Sequence, residues 1–437
     1  MQTSVETLGQ LERRINVSVP LAAIESEVEK RLVKLARTAK IAGFRPGKVP
    51  LKMVARQYGQ QVRSDVISDT VQATFNDAVR DQQLRIAGYP RIEPKDPAQQ
   101  AEGQLEFSAV FEVYPEIRIG GFEDVTIKRP VSEVAPANVD DTIEVLRRQR
   151  AQYNPVDRGA AETDRAIVDF SGRIDGVEFA GGQAKDFAIT PGEGRMLPEF
   201  EAALVGMKAG ESKEFKLTFP ADYHGKDVAG KEAEFTLQVK SVSERLLPDV
   251  DAEFARSFGV ASGDIEELKS EIAANLRLEL KRKVESIVKD QALATLRGKA
   301  DFPAPQSLVQ DESLAMARQM AAELQQQGMK PEDIKLSPEM FQPRAEERVK
   351  LGLAVGELVR LHGLGPKPEQ VRAMLQEAAQ TYEQPEAVIR WHYERPERLK
   401  DFEALAVERN VVDWVLAQAK VEDTPATFAE LMGPTRA

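Results

Sequence analysis

The spacing of hydrophobic positions divides the chain into stretches of different character. After Pro20, Ile24, Val28, Leu32, Leu35 and Ala39 recur three and four residues apart, which predicts an amphipathic helix. Gly43 to Pro50 interrupts that period, and a second helical region runs from about Leu51 to Gln83. Leu105, Phe107, Ala109, Phe111 and Val113 alternate instead, the period of a half-buried strand. Residues 1–115 therefore read as an α+β unit. Residues 116–149 read as a connector, with a strand-like "DVTIKRP" and a helix entered at Asn138. From 150 to 245 glycine is frequent, Asp175-Gly176 marks a hairpin, and Phe215/Leu217/Phe219 and Phe235/Leu237/Val239 each share a strand face.

Beyond Leu247 strand signals vanish. Ile265, Leu268, Ile272, Leu276, Leu280, Val284 and Ile287 form the stripe of one long helix, which "DFPAP" at 301–305 ends. Further helices run to about Lys420, with breaks near Gly328, Pro338, Gly363 to Pro368 and Pro396. "AAELQQQGMKPED" reads as the tip of a helical hairpin. The expected fold is multidomain α+β: an α+β head, a β-rich middle domain at 150–245, and an all-α remainder at 246–437. A chain of 437 residues is too long for a single core, so this division agrees with its length.

Composition narrows the chemistry. With no cysteine, disulfides and thiolate catalysis are excluded. The three histidines, His224, His362 and His392, are far apart, so metal sites and histidine triads are poor candidates, and neither a metal nor a cofactor is expected. The start "MQTSVETLGQ" lacks a basic region followed by an apolar run, and no stretch of about 18 apolar residues occurs, so a cytoplasmic protein without a membrane partner is expected. A net charge of -12 argues against a general nucleic-acid binder.

One region opposes that charge. Between Lys30 and Arg56 stand nine Lys or Arg residues and no Asp or Glu. Such a run is ordinarily a solvated helix face. Here, however, acidic partners at helical spacing are missing within the run, and "IAGFRPGKVP" places Phe44 on a turn among the cations. "GFRPGKV" is not a nucleotide-binding loop: it has three residues between its glycines, lacks Ser or Thr after the lysine, and Pro46 removes a backbone donor. What remains is a protruding tip, an apolar anchor ringed by positive charge.

"GFRPGKVP" resembles the ribosome-docking signature of the bacterial trigger factors, and the order of segments is similar to that family over nearly the whole chain. The resemblance implies that Phe44, Arg45, Pro46, Gly47 and Lys48 form a docking tip for the large ribosomal subunit at the tunnel exit, touching a ribosomal protein and ribosomal RNA. It also implies nascent and unfolded polypeptides as clients, weak homodimers off the ribosome, and links to export and cell division. In the helical remainder, Met316, Met320, Met329 and Met340 are open to either a core or a client-contact role.

Phe170, Phe179, Phe187, Phe200, Phe215, Phe219, Tyr223 and Phe235 all fall in the middle stretch. Taken singly, each is an ordinary core residue. Their spacing, with the D-G hairpin and "PEFEAALVGMKAGE", is similar to the FKBP-type peptidyl-prolyl isomerases. That resemblance implies a proline pocket lined by Phe170, Phe179, Phe187, Met196, Leu197, Phe200, Tyr223 and Phe235, with His224 at the rim. Ala180, Glu199 and Phe200 depart from drug-sensitive members, which argues against macrolide binding. "GGQ" at 181–183 is expected in a hairpin loop, and "PGEGRM" lacks dinucleotide-fingerprint spacing.

Together these features point to an ATP-independent chaperone that docks on ribosomes, holds nascent chains and isomerises X–Pro bonds. The alternative is a non-enzymatic RNA-binding or assembly adaptor whose β-rich domain is only structural.

Overall fold

The computed structural model describes residues 2–40, 44, 49–95, 101, 103–223, 225, 227–330, 334–380 and 382–433. The chain divides into two compact units, Met1–Lys128 with Ile287–Glu422 and Arg129–Ser286 with Asp423–Ala437.

The head contains strands β1 (Gln2–Thr7) and β2 (Glu12–Pro20), helices α1 (Leu21–Ala36) and α2 (Leu51–Asp81), and strands β3 (Ile86–Pro94) and β4 (Gln104–Val113). The sheet is antiparallel in the order β1-β2-β4-β3. In β2, Ile15, Val17 and Val19 alternate inward, a period-two signal as clear as that of β4. They meet Ala109, Phe107 and Leu105 across the ladder. Ile24 and Leu32 of α1 and Val54, Val62, Val66 and Phe75 of α2 cover this face, with Phe75 edge-on to Phe111 at 5.4 Å. Ala39 and Val49 are buried, whereas Phe44 between them is 39% exposed.

Next come β5 (Thr126–Val131) and α3 (Pro136–Gln149). The helix begins two residues before the expected Asn138. Pro136 suits a first helical position, where φ is preset and no N–H is needed. Asn138 reaches back instead, its Oδ1 accepting the Ala135 N–H at 2.9 Å.

The middle domain holds β6 (Gln152–Pro155), β7 (Arg165–Ile174), β8 (Val177–Ile189), α4 (Pro198–Leu204), β9 (Ser212–Thr218) and β10 (Glu232–Leu246). The order is β6-β10-β7-β8, with β9 also on β10, and every pairing is antiparallel. Asp175 and Gly176 turn the β7–β8 hairpin with φ of 51° and 79°. Gly181 to Gln183 lie within β8, not in the hairpin loop expected from sequence. After α5 (Ala252–Ser257), α6 (Ile265–Lys299) buries or half-buries all seven residues of its predicted stripe. Its first turns pack Leu268 and Ile272 against Val139 and Ile143 of α3 and Phe254 of α5.

The remaining elements are α7 (Gln306–Gln326), a 3-10 turn at Pro338–Phe341, α8 (Gln342–His362), α9 (Pro368–Ala379), α10 (Pro385–Tyr393), a second 3-10 turn at Pro396–Leu399, α11 (Lys400–Gln418), β11 (Lys420–Pro425) and α12 (Phe428–Met432). β11 pairs with β5. It is a strand where none was expected, because its partner lies about three hundred residues away and a short, mostly exposed strand leaves little alternation to read. Pro305 cannot cap α7 through its side chain, and Glu112 of the head does so instead. Its two oxygens accept the N–H groups of Gln306 (2.9 Å) and Ser307 (2.6 Å). Met316 joins the α7–α8 core with Val309 and Ala345. Met320, Met329 and Met340 are 37%, 43% and 69% exposed. Among the described residues, no helix is long and apolar enough to cross a membrane.

Candidate active site

Strand alternation builds the middle domain's cavity. On β7 the inward positions are Ala166, Val168, Phe170 and Gly172, and on β10 they are Ala233, Phe235, Leu237 and Val239. The register sets Phe235 opposite Gly172 on one side and Phe215 on the other. Phe235 is thereby surrounded by five rings: Phe170, Phe179, Phe200, Phe215 and Phe219, at 6.2, 6.1, 5.5, 5.9 and 6.5 Å between centroids. Each such pair contributes about 0.5–1.5 kcal/mol beyond burial.

Two glycines make room for these rings. A Cβ on Gly172 would stand 2.6 Å from Phe235 Cε1 and 3.1 Å from Phe179 Cε1, and one on Gly182 would stand 2.8 Å from Phe179 Cζ. Helix α4, opened by Pro198, brings Phe200 into contact with Phe170 at 5.2 Å. The next residue, Glu201, holds the preceding loop: its carboxylate accepts the N–H of Gly192 at 2.8 Å and of Met196 at 3.1 Å. This carries Met196 and Leu197 over the cavity.

The result is a cavity of roughly 510 Å³ lined by Phe170, Phe179, Met196, Leu197, Phe200, Leu217, Phe219, Tyr223, Val228 and Phe235, with Gly181, Gly194, Arg195, Gly225 and Asp227 at its edges. Seven of the residues expected from sequence therefore meet in one space. Phe187 does not line it. It sits on β8, the outer strand of the sheet, 40% exposed, with its ring edge-on to Phe170 at 5.8 Å. No strand of the sheet lies beyond β8 among the described residues, and β8 carries one extra residue between the Val168–Phe187 and Phe170–Ala184 pairs. His224 lies outside the described residues. Sequence reading missed Leu217, Phe219, Val228, Arg195 and Asp227. The shared face of Phe215, Leu217 and Phe219 was the signal that could have found the first two.

Charge is kept to the margins. Asp164 is 1% exposed, and burial alone would raise its pKa. Hydrogen bonds from Arg158 and the Ala161 N–H (2.9 Å), with the charges of Arg158 and Arg245, outweigh burial and hold the carboxyl below its ordinary range. Asp169 is also held low, by Lys240 at 2.8 Å and the Asp186 N–H at 2.7 Å. Among the described residues, no three His, Asp or Glu side chains are grouped to hold a metal.

The head presents a different surface. Lys34, Arg37, Lys40, Lys52 and Arg56 are exposed and make no ion pair among the described residues. Two cations of the run are neutralised from outside it: Arg31 by Asp69 at 2.7 Å, and Lys30 by Glu27 at 3.5 Å. Exposed Phe44, Leu51 and Met53 stand in the same stretch. Arg45, Pro46, Gly47 and Lys48 lie outside the described residues.

Comparison with known proteins joins these parts. Residues 1–146 match the family "Bacterial trigger factor protein (TF)", residues 156–240 match "FKBP-type peptidyl-prolyl cis-trans isomerase", and residues 264–417 match "Bacterial trigger factor protein (TF) C-terminus". Trigger factor of Nitrosospira multiformis is 51% identical over 434 residues, covering 99% of this chain and 100% of that protein. The chain belongs to the trigger factor family. Trigger factor of Laribacter hongkongensis is 49% identical over 437 residues, covering 99% and 100% of the two chains. A solved trigger factor, from work on promiscuous substrate recognition in folding and assembly, covers 96% of this chain and is itself fully covered, at 18% identity and a TM-score of 0.48. As a trigger factor with an FKBP-type domain, the chain is a chaperone and a peptidyl-prolyl cis-trans isomerase.

The cavity suits that reaction. The X–Pro bond resists rotation by roughly 18–20 kcal/mol because resonance keeps the amide planar. A twisted amide has lost resonance and is less polar, so an apolar, water-poor wall favours it over the planar ground state. Lowering the barrier by about 5 kcal/mol gives nearly four orders of magnitude in rate. Rotation makes and breaks no covalent bond, so the chemistry calls for no nucleophile or general base.

Proposed function

We propose that this trigger factor docks at the tunnel exit of the large ribosomal subunit through the tip at residues 44–48. There it contacts a ribosomal protein and ribosomal RNA in the cytoplasm, and holds nascent chains while the aromatic cavity isomerises their X–Pro bonds. The observation that carries the docking reading is the exposure of Phe44 in a stretch of sequence holding five cations with no carboxylate partner among the described residues. An apolar anchor within positive charge suits a surface mixing phosphate with acidic protein. The working division is a head at 1–115, a connector at 116–149, the isomerase at 150–245 and a helical chaperone region at 246–437. Exposed Met320, Met329 and Met340 supply adaptable apolar contacts for unfolded clients. Weak homodimers off the ribosome complete the reading.

Co-sedimentation with ribosomes tests it. Replacing Phe44, Arg45 and Lys48 by Ala should abolish pelleting while isomerase activity persists, and unchanged pelleting refutes the docking role. Tight binding to naked RNA with a steep salt slope would instead favour an RNA-binding adaptor.

A further inference from the structure

Isomerisation itself has no use for charge, yet two opposite charges stand at the cavity's edge. Arg195 belongs to the loop that carries Met196 and Leu197, and Asp227 to the segment that follows Tyr223; both line the cavity. The Arg195 side chain is 71% exposed and pairs with Glu193 at 3.4 Å. Glu193 is shared with Arg245, which it meets at the shorter distance of 2.9 Å and whose side chain is only 11% exposed. Glu193 is thus divided between two guanidiniums, and the exposed Arg195 keeps the longer contact. Of the two carboxylates that follow the loop, Glu201 is occupied by two backbone N–H groups, and Glu199 is exposed but does not line the cavity. Asp227, which lines the cavity from a different segment, is exposed and makes no ion pair among the described residues.

We propose that Arg195 and Asp227 make the mouth bipolar, so that the enzyme reads the order of charges around the X–Pro bond. A polypeptide entering with its proline in the apolar cavity must run its flanking residues past the two lips. One order of acidic and basic neighbours meets attraction on both sides, and the reverse order meets repulsion on both. The lips are specificity determinants and take no part in rotating the bond.

The test uses two peptides of the same composition and net charge, one with Glu before and Lys after a Leu–Pro unit, the other with these exchanged. Because the peptides differ only in order, the ratio of their kcat/KM values isolates the inferred effect and does not depend on how much of a variant is folded. At low ionic strength the ratio should depart from one by about 3- to 10-fold, as expected for a few exposed charge pairs. It should collapse toward one in high salt. Exchanging the lip charges in the full chain, Arg195→Asp with Asp227→Arg, should invert it. Arg195→Ala or Asp227→Ala alone should each move it toward one. A ratio of one at low salt overturns the proposal, and so does a ratio that survives the charge exchange or the single Ala changes.

Discussion

Phe44 and Phe235 are the same residue type set in opposite environments. Phe44 is 39% exposed, among cations that make no ion pair with described residues. Phe235 is 5% exposed and touches five other rings. A side chain that keeps over a third of its surface open can be offered to a partner, so the proposed docking role is separable from stability. A ring that is both core and cavity wall cannot be altered as one without disturbing the other.

The largest expected contrast follows directly. Phe235→Ala should cost the middle domain about 3–5 kcal/mol and remove isomerase activity, read by denaturant unfolding and a proline-limited refolding assay. Phe44→Ala should leave unfolding unchanged; a comparable loss of stability there would erase the distinction. Next in size, Gly172→Ala pushes a methyl against Phe235 and Phe179. It should destabilise by about 1–3 kcal/mol and cut activity about tenfold, with ribosome pelleting intact.

Acid should act on the cavity's frame before it acts on the tip. The folded pKa of Asp164 is depressed, so its contribution is present above the unfolded value of about 4 and is lost as pH falls through the folded value. Melting curves between neutral and strongly acid pH should show the middle domain weakening in that window, and Asp164→Asn should remove this part of the pH dependence. The smallest effect belongs to one cation of α1. Lys34→Ala should weaken docking about two- to fivefold at low salt and not at all at high salt. A salt-independent loss would mean that Lys34 acts through packing.

The parts legible in advance were those carried by local period. The seven-residue stripe of α6 and the alternation of β10 survive in the fold because each depends on residues within one element. Phe219 and Val228 as cavity walls, Phe187 outside them, and β11 pairing with β5 depend on which strands meet and in what register. The methionines show the same limit. Met316 and Met320 are one helical turn apart on α7, yet the first is buried with Ala345 and Phe341 and the second is exposed.

From the order of its residues alone, this protein obtained most of its helices and strands, its cationic stretch, and a supply of aromatics sufficient for an apolar pocket, since backbone period, charge and side-chain chemistry are local properties. Which rings face the cavity, which glycines leave them room, and which charges end up at its mouth were decided only when β7, β10 and α4 came together, because a cavity is the space between elements and no single element contains it.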